Sequence, residues 1–277
     1  MEWKVRLEGQ MRIHLVIDES GFFLPSFVDH LLDHLPEGVE AVGVTVLQNP
    51  PNIPTVYSHL RTHLPDIGIA SCLRLGRLAA LQAIRSAASR IGFRTAPGSV
   101  TGAVRRHDLP YRLVVDVNAS ETIDWIRGQS PDLLVSSCSQ IFRSELLELP
   151  AIGAINRHSS LLPAYGGILP IFQALLHEDS TMGSSVHVMT PEIDGGTVIT
   201  QSSFKVDADM TVYDCYERSY ADCGPLTVEA ITRVREKGNQ SIDEMDFGVE
   251  ARLTASYFGP PSDEDWRRFR ASGRRFC

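Results

Sequence analysis

Short apolar runs alternate with amphipathic stretches along most of the chain. Residues 12–17 (Arg-Ile-His-Leu-Val-Ile) form an apolar run that ends in the acidic turn Asp18-Glu19-Ser20-Gly21. From Phe27 to Leu35 apolar residues recur three and four apart, the helical period, until Pro36-Glu37-Gly38 stops them. Ala41 to Leu47 is a β-branched run that reads as a buried strand. Strand, helix and strand at this spacing make a βαβ unit, which implies a parallel sheet covered on both faces. Residues 48–70 are rich in proline and give no clear element. Leu73 to Ile91 reads as one long helix, whose arginines Arg74, Arg77, Arg85 and Arg90 suit a solvated face better than an anion site.

Further on, the pattern predicts a strand at Leu113–Val115, a helix capped by Ser120 and running to Arg127, and a strand at Asp132–Val135. A short helix (Ser144 to Leu149) precedes an apolar strand from Ala151 to His158. A helix at 170–178 and strands near 183–189 and 197–201 follow, the strands flanking a turn at Asp194-Gly195-Gly196. Thr211 opens a last long helix, to about Lys237. A polar remainder ends in a small helix with Ser262 as N-cap, acids in its first turn and arginines later, the order that the helix dipole favours. The class expected is α/β and Rossmann-like: a mostly parallel twisted sheet with helices on both faces. Residues 11–205 form the main domain, and 206–277 a C-terminal helix and small extension.

Composition narrows the partners. The net charge of −8 argues against a polyanion such as nucleic acid, which needs clustered Lys and Arg. No apolar run is long enough to span a bilayer and the N-terminus is too polar for a signal-peptide core, so no membrane association and a cytoplasmic location are expected. Met11 opens the first strand, which makes residues 1–10 a candidate extension or start-site artefact. The five cysteines are odd in number and lack CxxC spacing, so they read as reduced thiols rather than a disulfide framework or zinc site.

The chemistry concentrates at Asn156 and His158. Two apart on a strand, they point to one side, at the strand's carboxyl end, where ligands of parallel sheets bind. The amide can donate to a carbonyl oxygen that gains charge, and the imidazole can hold or move a proton near neutral pH. Taken alone, the pair fits better a strand end that merely hydrogen-bonds its own loop. Downstream, His187 to Gly196 ends a strand in Asp194 on a glycine-rich loop, an acid suited to steady an imidazolium.

The run Asn156-Arg157-His158-Ser159-Ser160-Leu161-Leu162-Pro163 resembles the Asn-x-His-x-Ser-x-Leu-Pro signature of the folate-dependent formyltransferases. His187 through Asp194 to Gly196 resembles that family's second motif, and Ser137-Cys138-Ser139-Gln140-Ile141-Phe142 stands where its pterin-contacting loop lies. The resemblance covers about residues 110–205. It implies 10-formyltetrahydrofolate as formyl donor and no metal. It makes Asn156 the hydrogen-bond donor to the formyl oxygen and gives His158 a share in that task or in protonating the departing nitrogen. Asp194 sets the charge state of His158 and helps accept a proton from the amine. Ser139, Gln140, Ile141 and Phe142, with Pro191, Glu192 and Ile193, hold the pterin. His187 matches a position that is structural more often than catalytic.

The acceptor is narrowed by departures from the family. Asp18-Glu19 stands where a glycinamide ribonucleotide transformylase carries a phosphate loop, and two carboxylates repel a phosphate. The part beyond position 205 reads as helical and acidic, unlike the C-terminal barrel of a methionyl-tRNA formyltransferase. The expectation is N-formylation of a small biosynthetic amine, a nucleotide-linked amino sugar or a secondary-metabolite amine. The alternatives are a formyltetrahydrofolate hydrolase, a methionyl-tRNA formyltransferase-like enzyme and a catalytically decayed folate-binding protein. The C-terminal segment is a candidate either to mediate a homodimer or to cover the acceptor site.

Overall fold

The computed structural model describes residues 10–20, 22–48, 63, 67–90, 97–238, 240–249 and 253–277. Most of the extension 1–10 and of the unassigned stretch 48–70 lies outside them. The main strands are β1 (Met11–Asp18), β2 (Val39–Leu47), β3 (Tyr111–Val114), β4 (Leu133–Ser137), β5 (Gly153–His158), β7 (Thr181–Val188) and β8 (Val198–Lys205). They form one sheet in the order β3-β2-β1-β4-β5-β7-β8. The pairings from β3 to β5 are parallel, whereas β5–β7 and β7–β8 are antiparallel. Two short strands, β6 (Gly166–Gly167) and β9 (Tyr257–Phe258), pair apart from the sheet.

Alternation along the strands divides the core. Ile13, Leu15, Ile17, Leu133, Val135 and Ile155 face one way. They pack under α1 (Leu24–Asp33), α3 (Val100–Arg106) and α7 (Val212–Glu236). Val16, Leu134 and Ala154 face the other way, against α4 (Ser120–Gly128) and α5 (Ser144–Leu147). Burial on both faces is why β1 and β4 read as unbroken apolar runs. The mostly parallel, helix-covered Rossmann-like sheet expected from the pattern is therefore present. A further cluster joins α6 (Pro170–Leu176) to α8 (Asp263–Ala271), with Phe172, Trp266, Phe269 and Phe276 at its centre. The helix α7 begins beyond the expected 205/206 division, yet Leu226, Ile231 and Val234 pack on the sheet itself.

Two local readings need correction. Ser120 does not cap α4; the N-cap is Ala119, and Thr122 Oγ1 donates to the Asp116 carbonyl (2.8 Å) instead. The helix α3 is not evident in the sequence, because Val100, Thr101 and Gly102 are poor helix formers. Ser99 starts it, accepting the Gly102 N–H at Oγ (3.0 Å). The long helix α2 (Ile69–Arg90) begins one turn earlier than its pattern. No helix among the described residues is long and apolar enough to cross a membrane.

Candidate active site

The chain builds β1, β2 and β3 toward one edge, then returns to place β4 and β5 on the other side of β1. Open α/β sheets bind ligands outside the carboxyl ends of their strands at such a reversal. Asp18, Ser137 and His158 end the strands there. Val16, Ser136 and Asn156 form one row across β1, β4 and β5, and His187 of β7 pairs with Asn156. Asp18, Cys138 and His158 lie two residues further on and so face the same side.

That face holds the polar cluster. Asn156 Nδ2 lies 3.3 Å from His187 Nε2, which lies 3.5 Å from Asp194 Oδ1. Asp194 Oδ2 is 3.8 Å from His158 Nδ1 and accepts the Gly167 N–H at 2.8 Å. His158 Nε2 donates to the Tyr165 carbonyl (3.0 Å), which leaves Nδ1 of the neutral ring with its lone pair toward Asp194. His187 Nδ1 donates to the Val188 carbonyl (2.9 Å), so its Nε2 is free to accept from the Asn156 amide. The intervening Arg157 points the other way, its guanidinium 3.9 Å from the Tyr220 ring centre. Asn156, His158 and Asp194, singled out from the sequence, thus come together. His187, set aside as structural, links two of them.

Electrostatics set the charge states. Burial pushes the His158 pKa down, and Asp194 and the bond to Tyr165 only partly oppose it, so the ring is neutral near pH 7. Burial alone would raise Asp194, but His187 and His158 beside it and the Gly167 N–H outweigh it and hold the carboxyl at about 2. Asp194 also adopts φ +52°, a left-handed backbone that is rare for a residue with a side chain.

Three buried polar atoms on this edge have no hydrogen-bond partner among the described residues: Ser136 Oγ, Asn156 Oδ1 and Asp18 Oδ1. Each costs about 1–3 kcal/mol if left dry, and together they suit a polar ligand laid across β1, β4 and β5. Ser136 and Asp18 were not singled out as ligand contacts from the sequence. Burial raises the Asp18 carboxyl to about 6, despite the Ser139 N–H that its Oδ2 accepts at 2.9 Å. Glu19 beside it accepts the N–H groups of Val100 (2.9 Å) and Thr101 (3.2 Å) at the start of α3. The amides that an external anion would need are therefore occupied by a side chain of the chain itself.

The residues expected to hold a pterin divide by exposure. Phe142 is buried in the core, and the Gln140 amide is committed to Val117 N and Val115 O. Ile141 and Ile193 expose 61% and 41% of their surface, an apolar offering to a flat ring. Ser139, Pro191 and Glu192 lie exposed on the same two loops.

An Asn–His–Asp cluster at the carboxyl edge of such a sheet, on these motifs, defines a class, and the chain belongs to the folate-dependent formyltransferase family. The family model "Formyl transferase" matches residues 94–231. The chain is 32% identical over 180 residues to the methionyl-tRNA formyltransferase of Borrelia hermsii, covering 60% of this chain and 58% of that one. It is 28% identical over 156 residues to that of Thermotoga maritima, covering 56% and 50%. The chain thus spans little more than half the length of these curated relatives. Among solved structures, glycinamide ribonucleotide transformylase 1 from Symbiobacterium toebii shares the fold at TM-score 0.56 and 17% identity, covering 84% of this chain and 94% of that one. A sugar N-formyltransferase from Shewanella sp. FDAARGOS_354 does so at TM-score 0.53 and 18% identity, covering 90% and 76%.

Proposed function

We propose that this protein transfers a formyl group from 10-formyltetrahydrofolate to the amine of a small biosynthetic substrate, foremost a nucleotide-linked amino sugar. The observation that carries the reading is the linked cluster of Asn156, His187, Asp194 and His158 on one edge of the sheet. The donor, when bound, supplies an activated formyl carbon. Asn156 keeps one amide N–H for the formyl oxygen while His187 takes the other, and this stabilises the charge that builds there as the amine adds. His158 Nδ1 and Asp194 Oδ2 are two acceptors 3.8 Å apart, so one amine nitrogen can donate to both. The neutral ring takes the amine proton, and the adjacent carboxylate steadies the imidazolium that results. That proton is then available to the departing folate nitrogen.

The acidic edge of β1 supports a small acceptor without a phosphate at that point, since Glu19 already fills the α3 amides. The test is the absorbance change on mixing purified protein with 10-formyltetrahydrofolate and a panel of amines. Formation of tetrahydrofolate only with an amine present is the expected result. Release without any amine would assign a hydrolase instead, and no release at all a binding protein. The named relatives favour a second reading, formylation of an aminoacyl-tRNA. A steep loss of tRNA binding with salt would support it, against the weak dependence expected of a chain with net charge −8.

A further inference from the structure

The loop that seats His158 and Asp194 is held by the far end of the chain. Ser256 accepts the Tyr165 N–H at Oγ (2.9 Å) and the Gly166 N–H at its carbonyl (2.9 Å), and its own N–H donates to the Pro163 carbonyl (3.1 Å). The Ile168 N–H donates to the Phe258 carbonyl (2.9 Å), and the Phe258 ring stacks on Tyr165 with centroids 5.5 Å apart. With Phe258 turned toward Tyr165, strand alternation sends Tyr257 to the opposite side.

There it meets a gap. Gly166 has no side chain, and the point that its Cβ would occupy is 3.4 Å from Asp194 Cβ and 3.5 Å from Tyr257 Cδ2. The tyrosine ring and the Asp194 side chain therefore both lie against the same bare glycine. Yet 57% of Tyr257 is exposed, so much of this ring near Asp194 is open to a ligand. Tyr257 also lies outside the family match at 94–231.

Resting on the proposed amine formylation, the geometry points to Tyr257 as the residue that recognises the acceptor, by stacking on the ring that bears the amine. The amine must reach Asp194, and the part of a nucleotide-linked amino sugar within one glycine's width of it is the sugar ring. A pyranose offers a flat C–H face to an aromatic ring, and a tyrosine already fixed in a strand loses little freedom on stacking. The hydroxyl is not needed for this contact.

The test compares the wild type with Tyr257→Ala and Tyr257→Phe, using a thymidine-diphosphate-linked amino sugar and an open-chain amine such as glycinamide as acceptors. Tyr257→Ala is expected to raise the KM for the sugar about tenfold, leaving kcat within about threefold and the affinity for tetrahydrofolate unchanged. Tyr257→Phe is expected to restore the wild-type KM. An unchanged sugar KM in Tyr257→Ala, or efficient use of the open-chain amine with equal loss for both acceptors, would overturn the assignment of Tyr257 alone. So would a fall in kcat with a shift in its pH profile, the sign that Tyr257 only positions Asp194. A wild-type protein that binds tetrahydrofolate but formylates neither amine overturns the functional reading beneath it.

Discussion

At the scale of the residue, the cluster makes unequal demands. We expect Asn156→Ala and His158→Ala each to lose on the order of 10² in turnover with folding intact, by the measure of other lost oxyanion donors. Near-normal rates in both variants would remove them from the chemistry. In the proposed reaction His158 works as a base only while neutral, and burial lowers its pKa from the ordinary 6.5. On that account kcat/KM should hold down through pH 6.5 and fall only below it; a limb that breaks above 6.5 would contradict the neutral buried ring. Asp194, held at about 2, stays ionised throughout that range.

Asp18 presents the opposite case. Its carboxyl rises from 3.8 in the unfolded chain to about 6 in the fold, so its contribution to stability is present below 3.8 and is lost as the pH climbs through 6. At pH 7.5 the ionised group is a burden, and Asp18→Asn keeps an acceptor for the Ser139 N–H without the buried charge. We expect this variant to be more stable than the wild type at pH 7.5, by up to about 2–3 kcal/mol, and no better at pH 3. Urea melts at the two pH values measure the difference, and equal gains at both would show that the charge is not the cause. Asn156 and His158 were legible in the sequence because they share one strand and its period of two. Ser136 and Asp18 gained meaning only from the register of three strands, which no single segment records.

At the scale of the element, the smallest one matters most to the site. β6 is a pair of glycines, and Gly167 has φ +94° with its Cα facing the Phe258 carbonyl across the β6–β9 pairing. A Cβ there would strike that oxygen and disfavour the backbone angle as well. Since the Gly167 N–H binds Asp194 and the Tyr165 carbonyl binds His158, displacing this loop disturbs both. Gly167→Ala should cut kcat/KM at least tenfold, mainly through kcat, while the sheet stays folded by circular dichroism; unaltered kinetics would show that the loop does not set the site. Two-residue strands are invisible to a periodicity, so neither β6 nor β9 could be foreseen. The longer elements were legible because burial on two faces leaves runs such as Leu133–Val135 wholly apolar. The helix α3 escaped notice because its first turn is β-branched residues and glycine.

At the scale of the whole molecule, the C-terminal part is integral to the structure. Trp266 of α8 is fully buried against Phe172 (4.6 Å between centroids) and Phe276 (5.9 Å). Replacing it with alanine should cost about 3–5 kcal/mol of stability, read from chemical denaturation, and a loss below about 1 kcal/mol would mean that this cluster is loosely packed. The polar composition after Lys237 made this segment read as an appendage. Its few aromatic residues were spaced too widely to announce a core shared with α6.

Two of the partners of His158 and Asp194 are main-chain atoms, the carbonyl of Tyr165 and the N–H of Gly167. Main-chain atoms are not edited by point mutation as long as the path of the loop survives. Those two contacts are thereby insulated from drift in the side chains around them. The neighbouring strand, which supplies Tyr257, is written in a separate stretch of sequence that no catalytic motif overlaps. On the role proposed for Tyr257, a lineage of such proteins can revise the acceptor it serves by changing that one residue, while Ser256 and Phe258 on either side keep the loop in place.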